Sequence, residues 1–196
     1  MVPSDMDAAS QYALAYSLTT AAGVRAMLAL AIVAVAIRLG LLHPPESCLW
    51  LASPLAMWIL ICVAVAEICA DKIPIVDHVL HVAQIVVKPA AAAIIVGGTV
   101  QPQSNGVLIF LMVIGALNAL GVHAGIATVR GASTVTTAGV ANPIVSTAED
   151  VGATGSIVAS FVAPFIVAFL AVCFTIALAV FARQAYRRVR PARGTP

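Results

Sequence analysis

Within "AEICADKIPIVDHV", residues 66–79, four charged side chains fall inside about three helical turns: Glu67, Asp71, Lys72 and Asp77, with His78 beside them. Glu67 and Asp71 are four apart and share one helix face. Carboxylates so placed can neutralise a buried cation, pass a proton or draw in an ion. Four more groups of this kind stand in equally apolar surroundings: Arg25 in "GVRA", His123 in "GVHA", and Glu149 with Asp150 in "STAEDV". No G-x-S-x-G, H-E-x-x-H or phosphate loop accompanies them, so no catalytic residue is assigned. Asp77, His78 and His81 lie within about one turn, but a third or fourth ligand of the right type is not evident. Caps and interfacial histidines are their expected roles, and neither a metal nor a cofactor is assigned.

The elements that carry these groups follow from composition. Of 196 residues, 62% are hydrophobic and 9% charged, against about 25% charged in a typical soluble domain. Mean hydropathy is +1.06. A water-facing surface cannot be built from what remains, so the expected solvent is lipid. Spanning helices need about 20 mostly apolar residues, and several runs qualify. An open sheet cannot sit in lipid, and the alternation of a barrel strand is missing. No basic stretch precedes Arg25, so no cleavable leader is expected. Net charge is only +2, yet Arg183, Arg187, Arg188, Arg190 and Arg193 all follow the last apolar run. This reads as a positive-inside signal, or as a patch for anionic head groups. Nucleic-acid binding is not expected from so short a tail with only Tyr186 among the arginines. Cys48, Cys62, Cys69 and Cys173 form no C-x-x-C and read as small buried apolar side chains.

The first apolar segment covers 8–39, interrupted by Gly23 and Arg25. "LLHPPES" (41–47) is a loop. The second segment, 50–71, starts with Ser53 as cap and Pro54 at the first helical position, and Pro74 ends it. Asp77 is placed to cap the third, 78–100, which Pro89 should kink. "QPQSNG" (101–106) is a turn. The fourth segment, 107–130, carries Asn118 and the G-x-x-x-G run "GVHAG". The stretch 131–155 is rich in small and hydroxyl residues and reads as a short or broken segment. Its hydroxyls Ser133, Thr134, Thr136 and Thr137 can serve an ion or their own backbone. Asn142–Pro143 repeats the cap-then-proline signature, and Ser146 with Glu149 fits a capping box. The last segment is 156–182.

Two halves echo each other in order: "TTAAGVRA" with "LNALGVHA", "LASP" with "VANP", "AEICAD" with "AEDVGA". Pro54 to Glu67 is thirteen residues and Pro143 to Glu149 is six, a difference of about two helical turns. The expectation is one membrane domain over 1–196. Repeat one runs about 8–100, repeat two about 106–182, and a basic tail covers 183–196. Three segments per half make the repeats inverted. Six segments with the N-terminus inside place Lys72, Lys88, Arg130 and the tail arginines near the cytoplasm, which obeys the charge bias better than five. His123 then stands in the place of Arg25, and Glu149 in that of Glu67. Arg25, Glu67, His123, Glu149 and Asp150 are expected to converge between the halves, with Asp71, Lys72 and Asp77 at the cytoplasmic mouth. Three readings stay open: a polar, ion- or proton-linked path, an Arg25–Glu67 pair that only fixes helix packing, and snorkelling of these groups to the nearest interface.

Together "GVRA", "LASP", "AEICADKIPIVD", "VKP", "GVHAGIATVR", "ANP" and "STAEDV" resemble the bacterial membrane-protein family catalogued as domain of unknown function 4126, over about 10–182. The most specific piece is E-x-x-A-D-K-x-P-x-x-D, matched by Glu67, Ala70, Asp71, Lys72, Pro74 and Asp77. The resemblance implies an integral membrane protein and names no substrate. His78 and His81 stand outside the pattern. The fold expected is therefore an all-α polytopic bundle in the bacterial cytoplasmic membrane, C-terminus inside. Transport or permeation of a small solute or ion is the expected function, by architectural analogy. The alternatives are a structural or assembly subunit, and an intramembrane lipid-modifying enzyme using Glu67 or Glu149. The expected partners are the lipid bilayer, a small solute or ion and a second copy of the chain.

Overall fold

The computed structural model describes residues 6–70, 74–101 and 104–189, with the backbone alone at 74–81 and 188–189. Among these the chain forms helices and no strand. They are α1 (Ala8–Val24), α2 (Ala26–Arg38), a 3₁₀ turn (Glu46–Ala52), α3 (Pro54–Ala70), α4 (Pro74–Thr99), α5 (Asn105–Thr137), α6 (Asn142–Val162) and α7 (Pro164–Val189). Three helices are long and apolar enough to cross a membrane: Val82–Thr99, Asn105–Thr137 and Pro164–Arg187. A fourth span forms if the 3₁₀ turn and α3, bent by 68°, count as one. Large apolar side chains such as Leu55, Val86, Phe110 and Phe169 are exposed along α3, α4, α5 and α7. A protein in water buries such groups; a membrane protein turns them to lipid.

α1 is the central helix. From Leu14 to Val24 nearly every residue is buried, and α4, α5, α6 and α7 all pack on it. Its hydroxyls are buried too, and each is satisfied by its own helix. Ser17 Oγ donates to the Ala13 carbonyl (2.9 Å), and Thr19 and Thr20 to that of Tyr16 (2.9 and 3.1 Å). Asn118 of α5 then donates to both threonine oxygens, at 3.1 and 2.8 Å, and ties the two helices. Small residues let them approach. A Cβ at Gly23 would stand 2.6 Å from Val122 Cβ and 2.7 Å from the Ala119 carbonyl oxygen. In "GVHAG" Gly125 is such a contact, facing Leu178 of α7, while Gly121 faces open space.

Several boundaries differ from the sequence reading. The first segment breaks at Arg25, which takes extended backbone (φ −133°, ψ 92°). Ser53 and Pro54 do start α3, with the Ala56 N–H donating to Ser53 Oγ at 3.1 Å. α4 starts at Pro74, so Asp77 lies inside the helix rather than at its cap, and α4 runs on through Pro89. Residues 131–155 are not one short segment. Their first part extends α5 to Thr137, because Thr134, Thr136 and Thr137 donate to the carbonyls of Arg130, Ala132 and Ser133 and so satisfy their hydroxyls within the helix. Ala138 (φ 51°) and Gly139 (φ 84°) then reverse the chain. α6 is capped by Ala141, not Asn142. The Asn142 amide instead donates to Thr134 Oγ1 at 2.9 Å. Ser146 and Glu149 form no capping box, since both lie past the helix start. The last segment is cut at Ala163, where Pro164 disfavours helical backbone in the residue before it. Cys62, Cys69 and Cys173 are exposed, not buried, on the apolar outer faces.

Gly23→Leu should lower stability by about 1–3 kcal/mol, because backbone and not a flexible tip stands in the way. Gly121→Ala should leave it unchanged or slightly raised. Thermal unfolding of the two variants in detergent checks the pair.

Candidate functional site

A helix that stops in mid-bundle leaves unpartnered N–H groups at the start of its successor. At Arg25 the backbone repairs part of this itself. The Arg25 N–H closes α1 on the Ala21 carbonyl (2.8 Å), and its carbonyl accepts from Ala29 of α2 (3.1 Å). The next donor, Met27 N–H, is met by Glu67 Oε2 of α3 at 3.1 Å. A carboxylate at a helix N-terminus is favoured both by this hydrogen bond and by the helix dipole. Glu67 is 6% exposed. Its other oxygen accepts from Gln84 Nε2 of α4, again at 3.1 Å.

The Arg25 side chain, 1% exposed, reaches α6. Ser146, Glu149 and Asp150 are spaced i, i+3, i+4 and therefore share one face. Arg25 Nε lies 2.6 Å from Asp150 Oδ1, and Nη2 lies 3.9 Å from Glu149 Oε2. Nη2 also donates to Ser146 Oγ at 3.0 Å. Arg130 of α5 takes Glu149 from the other side with a two-pronged contact, Nε to Oε1 at 3.1 Å and Nη2 to Oε2. The sequence Arg130–Glu149–Arg25–Asp150 is thus a chain of alternating charge.

A third contact lies between α4 and α5. Lys88 Nζ stands 3.1 Å from His123 Nδ1, both side chains 3% exposed. One of these nitrogens donates and the other accepts, and the His123 tautomer sets which. Gln84 and Lys88 are i, i+4 on α4, so one face of that helix meets Glu67 with one residue and His123 with the other.

The structure therefore brings Arg25, Glu149 and Asp150 into contact. Glu67 comes to the same break through Met27. His123 is held by Lys88 beside Val122, the residue against which Gly23 packs. Glu67 and Glu149 do not play one role twice: the first takes a helix N-terminus, the second takes two arginines. Asp71 and Lys72 lie outside the described residues, as does the side chain of Asp77. Gln84, Lys88, Arg130 and Ser146 were not singled out from sequence as site residues. Lys88 and Arg130 entered only as topology signals, and the i, i+4 spacing of Gln84 and Lys88 within apolar residues was the available clue. Among the described residues no group of three His, Cys, Asp or Glu side chains is placed to hold a metal ion.

An all-helical chain with an apolar outer surface and ionised groups at an internal helix break is the class that this geometry defines. The chain belongs to the family described as Domain of unknown function (DUF4126), which matches residues 12–184. No curated protein and no solved structure matches it.

Arg25→Met should cost on the order of 3–5 kcal/mol, since it takes from Asp150 a buried cation at 2.6 Å, while Arg130 still holds Glu149. Arg130→Met should cost less, because Arg130 is 16% exposed and Arg25 still partners Glu149. Unfolding of both variants under identical detergent conditions gives the comparison.

Proposed function

We propose that the protein moves a small solute or ion across the bacterial cytoplasmic membrane, through the charged break between its two halves. The observation that carries this is the break itself. α1 stops and α2 starts at a buried Arg25, the new N-terminus is capped by the Glu67 carboxylate, and the guanidinium is matched by two acids on α6. Discontinuous helices whose ends meet charge at depth are a recurring way to build a transport site.

Counting α1 and α2 as one broken segment gives six: α1–α2, α3 and α4, then α5, α6 and α7. This order supports two inverted three-segment repeats. Pro54 and Pro143 lie at the starts of α3 and α6, Pro74 and Pro164 begin α4 and α7, and these last two helices are 26 residues each. The basic tail fits a cytoplasmic C-terminus, and a second copy of the chain is a partner consistent with so apolar a surface. In this reading Glu67 occupies the place that a transported anion or proton would use, with the Lys88–His123 contact one turn further along α4.

The same network also suits a structural or assembly subunit, because it satisfies each charge internally. The two readings part on Glu67→Gln, which keeps size and one acceptor oxygen. For a transporter, flux of the relevant ion or solute into vesicles is abolished while helicity and thermal unfolding stay near those of the parent chain. For a scaffold the same change lowers unfolding temperature and loosens assembly. The solute is found first by thermal unfolding across pH, ions, metabolites and lipids, since a ligand that binds only the folded state raises its stability by mass action. A shift that survives Glu67→Gln and Glu149→Gln places the ligand elsewhere.

A further inference from the structure

Between α1, α5, α6 and α7 lies a cleft of about 610 Å³, within the usual range for a ligand site. Ser17, Thr20 and Ser156 line it, but each hydroxyl already donates to a carbonyl of its own helix, at 2.9, 3.1 and 2.9 Å. The remaining walls are apolar or small. A polar solute would forfeit its hydrogen bonds with water along this shaft, while a hydrocarbon would forfeit nothing. The outer flanks of α6 and α7 carry exposed Val158, Val162, Phe165 and Phe169, so lipid is the medium beside it.

One end of the cleft is charged. Glu149 lines it, and so do Val24 and Val129, the chain neighbours of Arg25 and Arg130. At the same end Leu178 packs with Val24 and Ile126. Beyond Leu178, α7 carries the exposed Arg183 and Arg187, about 8 and 14 Å further along its axis. Arg25 and Arg130 stand at this end matched by Glu149 and Asp150, and Arg183 and Arg187 follow along α7.

We propose that the cleft binds one acyl chain of an anionic phospholipid, with the head group drawn to the end marked by Arg130, Arg183 and Arg187. The apolar shaft sets the tail, and the excess of arginine sets the sign of the head. The proposal does not depend on transport, because a retained lipid serves a scaffold equally well.

Gly152 and Gly155 make it testable. Both line the cleft, and a Cβ at either meets nothing within 4 Å. A bulky side chain there starts from a Cβ in open space on the cleft wall, and it replaces a weak helix former. The full chain is reconstituted in phosphatidylcholine–phosphatidylglycerol vesicles and extracted in mild detergent, and bound lipid is counted by native mass spectrometry. The parent chain is expected to retain phosphatidylglycerol, and Gly155→Phe to lose it. Gly121→Phe, at a glycine with equal free space outside the cleft, is expected to keep it. Arg183→Gln combined with Arg187→Gln is expected to hold lipid but to lose the preference for the anionic head. Gly152→Leu takes the place of Gly155→Phe if that variant lacks the parent's helicity. Equal retention by the two glycine variants overturns the proposal. So does a parent chain that keeps no lipid, a head-group preference indifferent to both arginines, or a Gly155→Phe change that abolishes a dimer instead, which would assign the cleft to a second copy.

Discussion

A guanidinium that cannot reach water must be neutralised by its neighbours, and here that requirement falls on Arg25. In an apolar surround an ion stripped of one partner is far more costly than an exposed one. The arrangement of six helices, α1 to α6, follows from meeting it. Arg25 ends α1 and starts α2 with its backbone and draws α6 close with its side chain. The second acid on α6, Glu149, takes Arg130 of α5. The N-terminus created by the break takes Glu67 of α3, and Glu67 takes Gln84 of α4, whose next turn meets His123 of α5. A change at any of these positions is transmitted through matched charges as well as through packing.

Between these polar links the helices touch through small residues. Lipid-like surroundings offer little apolar driving force for association, so close van der Waals contact and hydrogen bonds must hold a bundle. Gly23 against Val122, Gly115 against Thr19 and Val96, and Gly125 against Leu178 are the points where backbones come nearest. α7 carries no member of the charged network described above and is fastened by contacts of this kind. The helices are therefore held by two different physical means, charge matching near the break and close packing along α1, α5 and α7.

Much of this was legible in the sequence. Composition pointed to an all-helical chain with apolar outer faces, and Ser53–Pro54 marked the start of α3 correctly. Arg25, Glu149 and Asp150 stood out because ionised groups are rare in apolar runs. What sequence could not supply was partner choice. Glu67 stood out beside Arg25 by sign and depth, but two hydrogen bonds that hold it come from a backbone amide and from Gln84, which neither sign nor depth points to. A backbone donor leaves no mark in a sequence, because every residue but proline has one. The interruption at Gly23 and Arg25 was visible, but no proline lies there, so nothing in the sequence told a helix break from a polar residue within one helix. Ser146 and Glu149 matched a capping signature by spacing alone, and tertiary partners claimed both. At 131–155 polarity suggested a short or broken segment; the chain does turn there, at Ala138 and Gly139, but the part before the turn belongs to α5, where the threonine hydroxyls bond their own helix carbonyls.

The Arg25–Ser146 contact joins residues 121 positions apart, and this bears on how the protein is made. α6 emerges from the ribosome long after α1. At about 5–20 residues per second the delay is on the order of ten seconds. Throughout that interval the first segment carries a cation whose acids do not yet exist. It must wait near the head groups, or beside the insertion machinery, until α6 arrives. Settling of the amino-terminal segment is then one of the last events of biogenesis rather than the first, and a chain truncated before residue 146 should leave that segment open to degradation.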